Sequence, residues 1–558
     1  MTSTARRAAQ RRAFVTPALA VTAALTLSAC GTGDPAEEAA ASPTAGGTLV
    51  YASGDAEPTC LDPHVGGNYP QALLAGQFLE TLYTKDSDGS VVPWLAEGAE
   101  VSADGLTVTL QLREGINFTD GTPFDAAAVK ANIEHVQDPE TGSSTGYLAM
   151  AKVESMEVLD AQRLQLNLSA PDSALFESFA QPWNAIMSPA GLERGQEENC
   201  AAPIGTGPFV VESWQRQDAV TLTRNEDYVV PDPEATADPS HTGPAYLEGI
   251  EWRFIPEAAT RYAALQSGTV DMIDNAQPDT IVSAADDEAI GHLNAPRPGA
   301  SNRIELNASQ APFDDVRVRE AFIRAVNVDA AVDSLFFGTA ERSYSPLSSV
   351  EPMSYSDESL FGYDPDEAAR LLDEAGWDEF DDAGYRVKDG ERLSVHLPVS
   401  TNQSVPAEQS LFEQLQATAK ESGIEVTVEL LDLASWYGAL GEHNYDLVSA
   451  PYTKVGPDVL RILFHSDSTQ PAPSGYFANH AMVQDPAVDA ALEAASAAQD
   501  DAERAELYEQ VQASVLEGFY LLPLYDQQNH FLYRESLRGV GETTAVASPT
   551  FHNAWLAE

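Results

Sequence analysis

The chain has 558 residues, 43% of them apolar, and sets 86 Asp and Glu against 30 Lys and Arg for a formal net charge of −56. That length and apolar content support two or more hydrophobic cores. So large an acidic excess repels nucleic acid and anionic lipid headgroups and favours solubility, but names no function by itself.

At the amino terminus Arg6, Arg7, Arg11 and Arg12 form a basic start, and Phe14 to Leu27 is an apolar stretch too short for a conventional transmembrane anchor. Leu27-Ser28-Ala29-Cys30-Gly31 resembles the lipobox of bacterial lipoproteins, in which the Cys is lipidated and becomes the new amino terminus. On this reading residues 1–29 are a signal peptide, and their loss removes four Arg and no acid, leaving 529 residues at −60. Residues 30–45, rich in Ala, Gly, Thr, Pro and acid, form a flexible tether. The mature protein is then expected on the outer face of the cell membrane, held by lipid alone. Arg11-Arg12-Ala13-Phe14 has a faint likeness to a twin-arginine signal, so the export route stays open. With Cys30 set aside, Cys60 and Cys200 remain in a compartment where thiols oxidise, and one disulfide between them is the economical reading.

Further along, Asp104-Gly105 supplies a turn ahead of Leu106, Val108, Leu110 and Leu112, which alternate with polar residues. Leu164, Leu166 and Leu168 repeat the alternation, so residues 101–168 read as a half-buried antiparallel sheet. Val318, Ala321, Phe322, Ala325 and Val326 fall on one helical face. Asp364-Pro365-Asp366-Glu367 starts a helix with an N-cap Asp and Pro at its first position, continued by Ala368, Leu371, Leu372 and Ala375. Residues 393–397, a helix over 407–422 and the alternation Ile424, Val426, Val428, Leu430 predict a strand-helix-strand unit with a parallel pair. A long helical stretch is predicted from Pro486 to Glu517. The second half is therefore α/β, and the first holds a β-rich inset.

Several blocks in this order resemble the peptide/nickel class of extracellular solute-binding proteins that serve ATP-driven importers. They are Gly46 to Tyr51; Leu61-Asp62-Pro63-His64; Pro93 to Glu97 with Asp104 to Thr107; Leu112 to Phe124; Pro203 to Phe209; Val316 to Ala321; and Tyr363-Asp364-Pro365 through Trp377. Most carry structure: Gly115, Gly121, Gly205 and Gly207 read as turn glycines, Pro123 and Pro208 as element edges. The resemblance implies an α/β, two-lobed periplasmic-binding-protein type II fold. Lobe I would span 46–300 and 526–558, with an extra β-rich subdomain at 80–198, and lobe II 301–525. Two crossings, near Pro296 to Asn302 and near Leu522 to Gln528, would make a hinge that closes on ligand.

The resemblance also places the cleft. Asn68 and Tyr69 would line it from lobe I, with Trp183 as an aromatic wall or a core residue. From lobe II would come Tyr452, Lys454 and Asp458, with Trp436 and Tyr437 as further aromatic candidates. Peptide-binding relatives often hold an Asp early in that loop against the peptide's α-amino group, where this chain has Thr453 or Lys454. A Lys454 facing the cleft would favour an anionic ligand or chelate; a Lys454 on the loop surface would leave Asp458 for the peptide amine. Short peptides are the leading ligand, with a nickel or other metal chelate, an opine-like compound or an oligosaccharide as alternatives. The implied partners are a permease and its ATPase, with the protein itself a monomer; a sensor on the same fold is the remaining non-transport reading. No enzyme, cofactor or metal site is expected: no Gly-x-Ser-x-Gly elbow, His-Glu-x-x-His or phosphate loop is read, and the ten His look scattered.

Overall fold

The computed structural model describes residues 42–86, 89–236, 239–401, 404–449, 456–471, 476–498 and 500–557. The expected signal peptide, the lipidation site Cys30 and nearly all of the tether lie outside them. None of the described helices is long and apolar enough to cross a membrane.

Thr48–Ser53 is the centre of a seven-stranded sheet, and its alternation serves two faces. Leu49 and Tyr51 enter one hydrophobic cluster while Ala52 enters another. Across the sheet the strands run Ile290–Pro296, Gln528–Arg534, Met272–Ile273, Thr48–Ser53, Gly249–Phe254, Ala219–Arg224 and Phe209–Gln215. The central strand is parallel to both neighbours, and every other pairing is antiparallel. Tyr51 stacks on Trp252 with ring centroids 3.8 Å apart.

The β-rich inset is an antiparallel sheet in the order Ala96–Val101, Thr107–Leu112, Arg163–Leu168, Val153–Val158. Val108, Leu110, Leu112, Leu164, Leu166 and Leu168 are buried in one cluster with the helix Ala126–Gln137, as the alternation predicts. Leu106 differs: it still belongs to the turn, where Asp104 Oδ1 accepts its backbone N–H, and its side chain is exposed. Gly205 and Gly207, just after the inset, pass so close to Phe78, just before it, that a Cβ at either would run into the Phe78 backbone. The Cys60–Cys200 disulfide forms, closing a loop with a sequence separation of 140 around the whole inset.

A second sheet, in the order Glu341–Arg342, Leu521–Asp526, Asn302–Leu306, Leu447–Ser449, is antiparallel. Beside it, Ser394–Ser400 and Glu425–Leu431 pair in parallel around the helix Pro406–Glu421, the predicted strand-helix-strand unit. The second strand buries Val426 and then leaves the core, so Leu430 is exposed. Asp364 caps the helix Pro365–Glu374 by accepting from Glu367 N, and Val316–Ala325 packs against it. The long helix predicted from 486 to 517 is two helices, Pro486–Ala497 and Asp501–Glu517; Asp500 caps the second by accepting from Glu503 N.

This second body has its own core, whose buried members run from Ala300 to Tyr525 and include none from before residue 300. The chain passes between the two sheets through residues 297–301 and returns through Gln527. The crossings are joined to each other, since Arg297 N donates to Gln527 O at 2.9 Å.

Opening the Cys60–Cys200 bond frees a long loop in the unfolded chain, so Cys60→Ser with Cys200→Ser is expected to cost about 2–5 kcal/mol. Urea unfolding of the double variant against the parent measures this, and coincident curves would show that the crosslink contributes nothing.

Candidate ligand-binding cleft

Where the two bodies meet at the crossings, the side chains are polar. Asn68 is exposed and caps the helix Tyr69–Ala75, accepting from Gln71 N while Gln71 Oε1 accepts from Asn68 N. Tyr69 opens that helix. Its hydroxyl donates to Ala547 O at 3.2 Å and accepts from Asn529 Nδ2 at 2.8 Å. The guanidinium of Arg297, on the first crossing, lies 4.2 Å from the Tyr69 ring centroid. Its Nη2 is buried with no hydrogen-bond partner, and burial holds its pKa below the usual Arg range.

Trp183 sits in a short turn, Pro182–Asn184, fully buried against Ala72, Val546 and Tyr69. Its indole Nε1 is also buried without a partner. Two donors that lack acceptors thus belong to side chains beside one tyrosine, in a setting where buried polar groups are normally satisfied.

The carboxylates around the crossings are held in unusual states. Burial, and then neighbouring Asp274, push Asp55 up to about 7; Asn275 Nδ2 donates to it and Arg297 opposes the shift. Glu408 is pushed up to about 7 by burial, although Asn302 Nδ2 donates to it at 2.6 Å and Tyr525 also hydrogen-bonds to it. Asn302 and Tyr525 face each other across the strand pair that begins and ends the second body.

Away from the crossings the inset touches the second body. Ser173 N donates to Ser496 O at 2.8 Å, and Lys152, paired with Asp172, also donates to Ser496 Oγ. Glu177 is pushed up to about 7 by burial, with Glu351 and Asp458 adding repulsion and Lys85 and Arg504 opposing it. Gly456 belongs to the predicted cleft loop and lies against Glu177; any Cβ there would overlap the carboxylate, and its φ of +88° already favours glycine. Glu351 Oε1 accepts from both Gly299 N and Gly456 N, tying the first crossing to that loop.

Residues 90–473 match the profile of the bacterial extracellular solute-binding proteins, family 5, middle region. The chain belongs to this family. Family members capture small ligands or peptides for importers built from a permease and an ATPase. The chain is 28% identical, over 86% of its own length and 89% of the relative's, to a glutathione-binding protein, GsiB, of Salmonella paratyphi A. NikA from Brucella suis, solved with Fe(III)-EDTA, aligns at a TM-score of 0.78 and 25% identity over 91% of this chain and all of that one. DppA from Helicobacter pylori, solved with the peptide STSA, aligns at 0.77 and 21% identity over 92% and 99%. The fold is thus the two-lobed type II binding-protein fold expected from the sequence.

Within this family 5 fold the residues singled out from sequence are placed unevenly. Tyr69 and Trp183 come together beside Arg297. Asn68 is exposed, with its amide engaged in capping. Trp436 is buried in a separate cluster with Leu440, Tyr445, Val448 and Phe477, and Tyr437 is exposed beside it. Asp458 is buried, its carboxylate near Arg461 Nε at 3.4 Å and accepting from Tyr508. Tyr452 and Lys454 lie outside the described residues. Sequence reasoning missed Arg297, Glu177 and Glu351; only Arg297 left a signal, a lone cation between Pro296 and Pro298 on a predicted crossing.

One motif needs correcting. Gly142-Ser143-Ser144-Thr145-Gly146 does spell Gly-x-Ser-x-Gly. No strand precedes it, however, and the Ser144 hydroxyl is donated to Gly66 O, so it is a loop contact and not a strand-to-helix nucleophile elbow.

A carboxyl whose pKa is raised on folding stabilises the fold below its unfolded value, and that stabilisation is lost as pH climbs through the folded value. Glu408 should therefore lower stability between about pH 4.5 and 7. Glu408→Gln is expected to flatten this part of the pH profile and raise Tm at pH 8; an unchanged difference in Tm between pH 5 and pH 8 would contradict the assignment.

Proposed function

We propose that this chain captures short peptides, glutathione-like tripeptides among them, in the cleft between its two lobes and hands them to a permease–ATPase importer. Lobe I comprises residues 46–300 and 526–558, carrying the inset at 80–198, and lobe II comprises 301–525. The protein works as a monomer tethered to the outer face of the cell membrane through lipid on Cys30, after removal of residues 1–29, and performs no catalysis.

The observation that carries the ligand reading is the pair of buried donors without acceptors, Arg297 Nη2 and Trp183 Nε1, on side chains that both lie beside Tyr69. A peptide's terminal carboxylate and a neighbouring carbonyl supply the missing acceptors, and a guanidinium binds a carboxylate more strongly than neutral donors do. Asn68 and Tyr69 line the mouth from lobe I, while Tyr452, Lys454, Asp458 and Trp436 belong to lobe II's side of the cleft. A carboxylate-bearing metal chelate or opine would satisfy the same donors and is the second reading. Gly456 and Arg504 already meet Glu177, contacts that link the inset to lobe II and so favour the closed state once ligand is held between the lobes.

Native mass spectrometry of the soluble mature chain, purified without refolding, should reveal a co-purified ladder of short peptides; a metal-bearing adduct would move the assignment to a chelate. In calorimetric titrations Arg297→Gln should weaken binding of a free-acid peptide by roughly 10- to 100-fold and leave binding of its carboxamide analogue nearly unchanged. Equal losses for acid and amide would place the carboxylate elsewhere. A labelled Cys30→Ala form should lose its membrane association, and retention of that association would remove the lipid tether.

A further inference from the structure

The ten His look scattered along the sequence, yet folding brings two of them together outside the cleft. His64 Nδ1 lies 3.0 Å from His135 Nδ1, and His135 Nε2 lies 3.9 Å from Asp62 Oδ2. One ligand atom from each of Asp62, His64 and His135 falls within 4.8 Å of the other two. We propose that these three side chains form a buried site for a single divalent transition-metal ion of the zinc class.

The proton arrangement supports this. His64 Nε2 contacts Ala185 O at 2.9 Å, and a carbonyl only accepts, so the His64 proton is on Nε2 and Nδ1 presents a lone pair. The 3.0 Å contact between the rings then takes the proton of neutral His135 on Nδ1, which leaves its Nε2 bare toward the carboxylate. Asp62 is fully buried, and among the described residues His135 is the only basic side chain within 4 Å of it. The cluster therefore holds a His64 Nδ1 that accepts the His135 proton, a bare His135 Nε2 and a buried negative charge, with no fixed cation to compensate them. A zinc ion held by Asp62, His64 Nδ1 and one nitrogen of His135 would take the place of the proton shared between the rings, with water as a fourth ligand. His135 would keep its proton on whichever nitrogen does not bind, so no other proton has to be placed.

The surroundings already orient the ligands, as supporting contacts do in metal sites. Asp62 Oδ1 accepts from His64 N at 2.8 Å, and Oδ2 accepts from Asn199 Nδ2 at 2.7 Å. Asn199 precedes Cys200, and Leu61 N donates to Cys200 O, so the disulfide fixes the two arms that carry Asp62 and Asn199. His135, with 20% of its side chain exposed, gives the route of entry. The site is structural: the segment it anchors continues directly into Asn68 and Tyr69, and Ala185 follows the turn that carries Trp183.

The test uses the untagged mature protein, stripped with chelator and titrated with zinc alone by calorimetry and thermal unfolding. One zinc ion per chain and a rise in Tm are expected, with binding weakened at least about 10-fold in His135→Gln. His292→Gln, which alters the exposed His292–His530 pair, should leave zinc binding unchanged. No zinc uptake, uptake unaffected by His135→Gln, or uptake abolished by His292→Gln would overturn the site. Should His135→Gln fail to fold, cobalt(II) bound to the parent decides: intense visible bands of a tetrahedral centre support the site, and weak six-coordinate absorption overturns it.

Discussion

The hydrogen bond from Arg297 N to Gln527 O, between the strand pairs Pro296 with Gln528 and Asn302 with Tyr525, joins the two crossings of the chain where one body gives way to the other. Each body has its own cluster of buried apolar residues, and among the described residues Leu148 of the inset packs against that of the second body. A connection made of two adjacent strands can bend but resists twisting or sliding, because either motion would pull apart the pairs Pro296 with Gln528 and Asn302 with Tyr525. The same connection places the Arg297 side chain over Tyr69, so the proposed hinge also carries the buried guanidinium proposed to meet ligand.

Charge is distributed around this junction with few complete ion pairs. Asp55 and Glu408 lie near the crossings, Glu177 lies at the far contact, and each is pushed up to about 7 mainly by loss of water. Glu177 additionally faces Glu351 and Asp458, a like-charge grouping only partly offset by Lys85 and Arg504. An interface built this way gains little by closing empty, since desolvation of carboxylates opposes the attraction between bodies. Ligand that supplies compensating groups shifts that balance, which is how a differential contact becomes a population shift.

Much of the architecture was legible in the sequence because it rests on local periodicity. The alternation from Val108 to Leu112, the parallel pair around Pro406–Glu421 and the Asp364 cap are each visible within a few residues. The break in the long helix was also written locally, in Asp500 followed three residues later by Glu503. The order of the family blocks extended this to the lobes. The junction itself was less legible. Arg297, Tyr69, Trp183 and Asn529 come from four distant segments, and neither charge nor periodicity within any one of them reports the other three. His64 and His135 were hidden for the same reason, since metal ligands are recognised in sequence only when their spacing is short.

The first and last described strands belong to the same body, and the ends of the described residues meet there: Thr44 Oγ1 donates to Leu556 O, and Gly47 lies against the Leu556 side chain. Topologically the second body is therefore a long insertion whose two stems enter and leave side by side. A load applied between the two ends passes through the first body alone and bypasses the junction. An anchor at the amino terminus would accordingly immobilise one half of the molecule while the other half swings without dragging on its mooring.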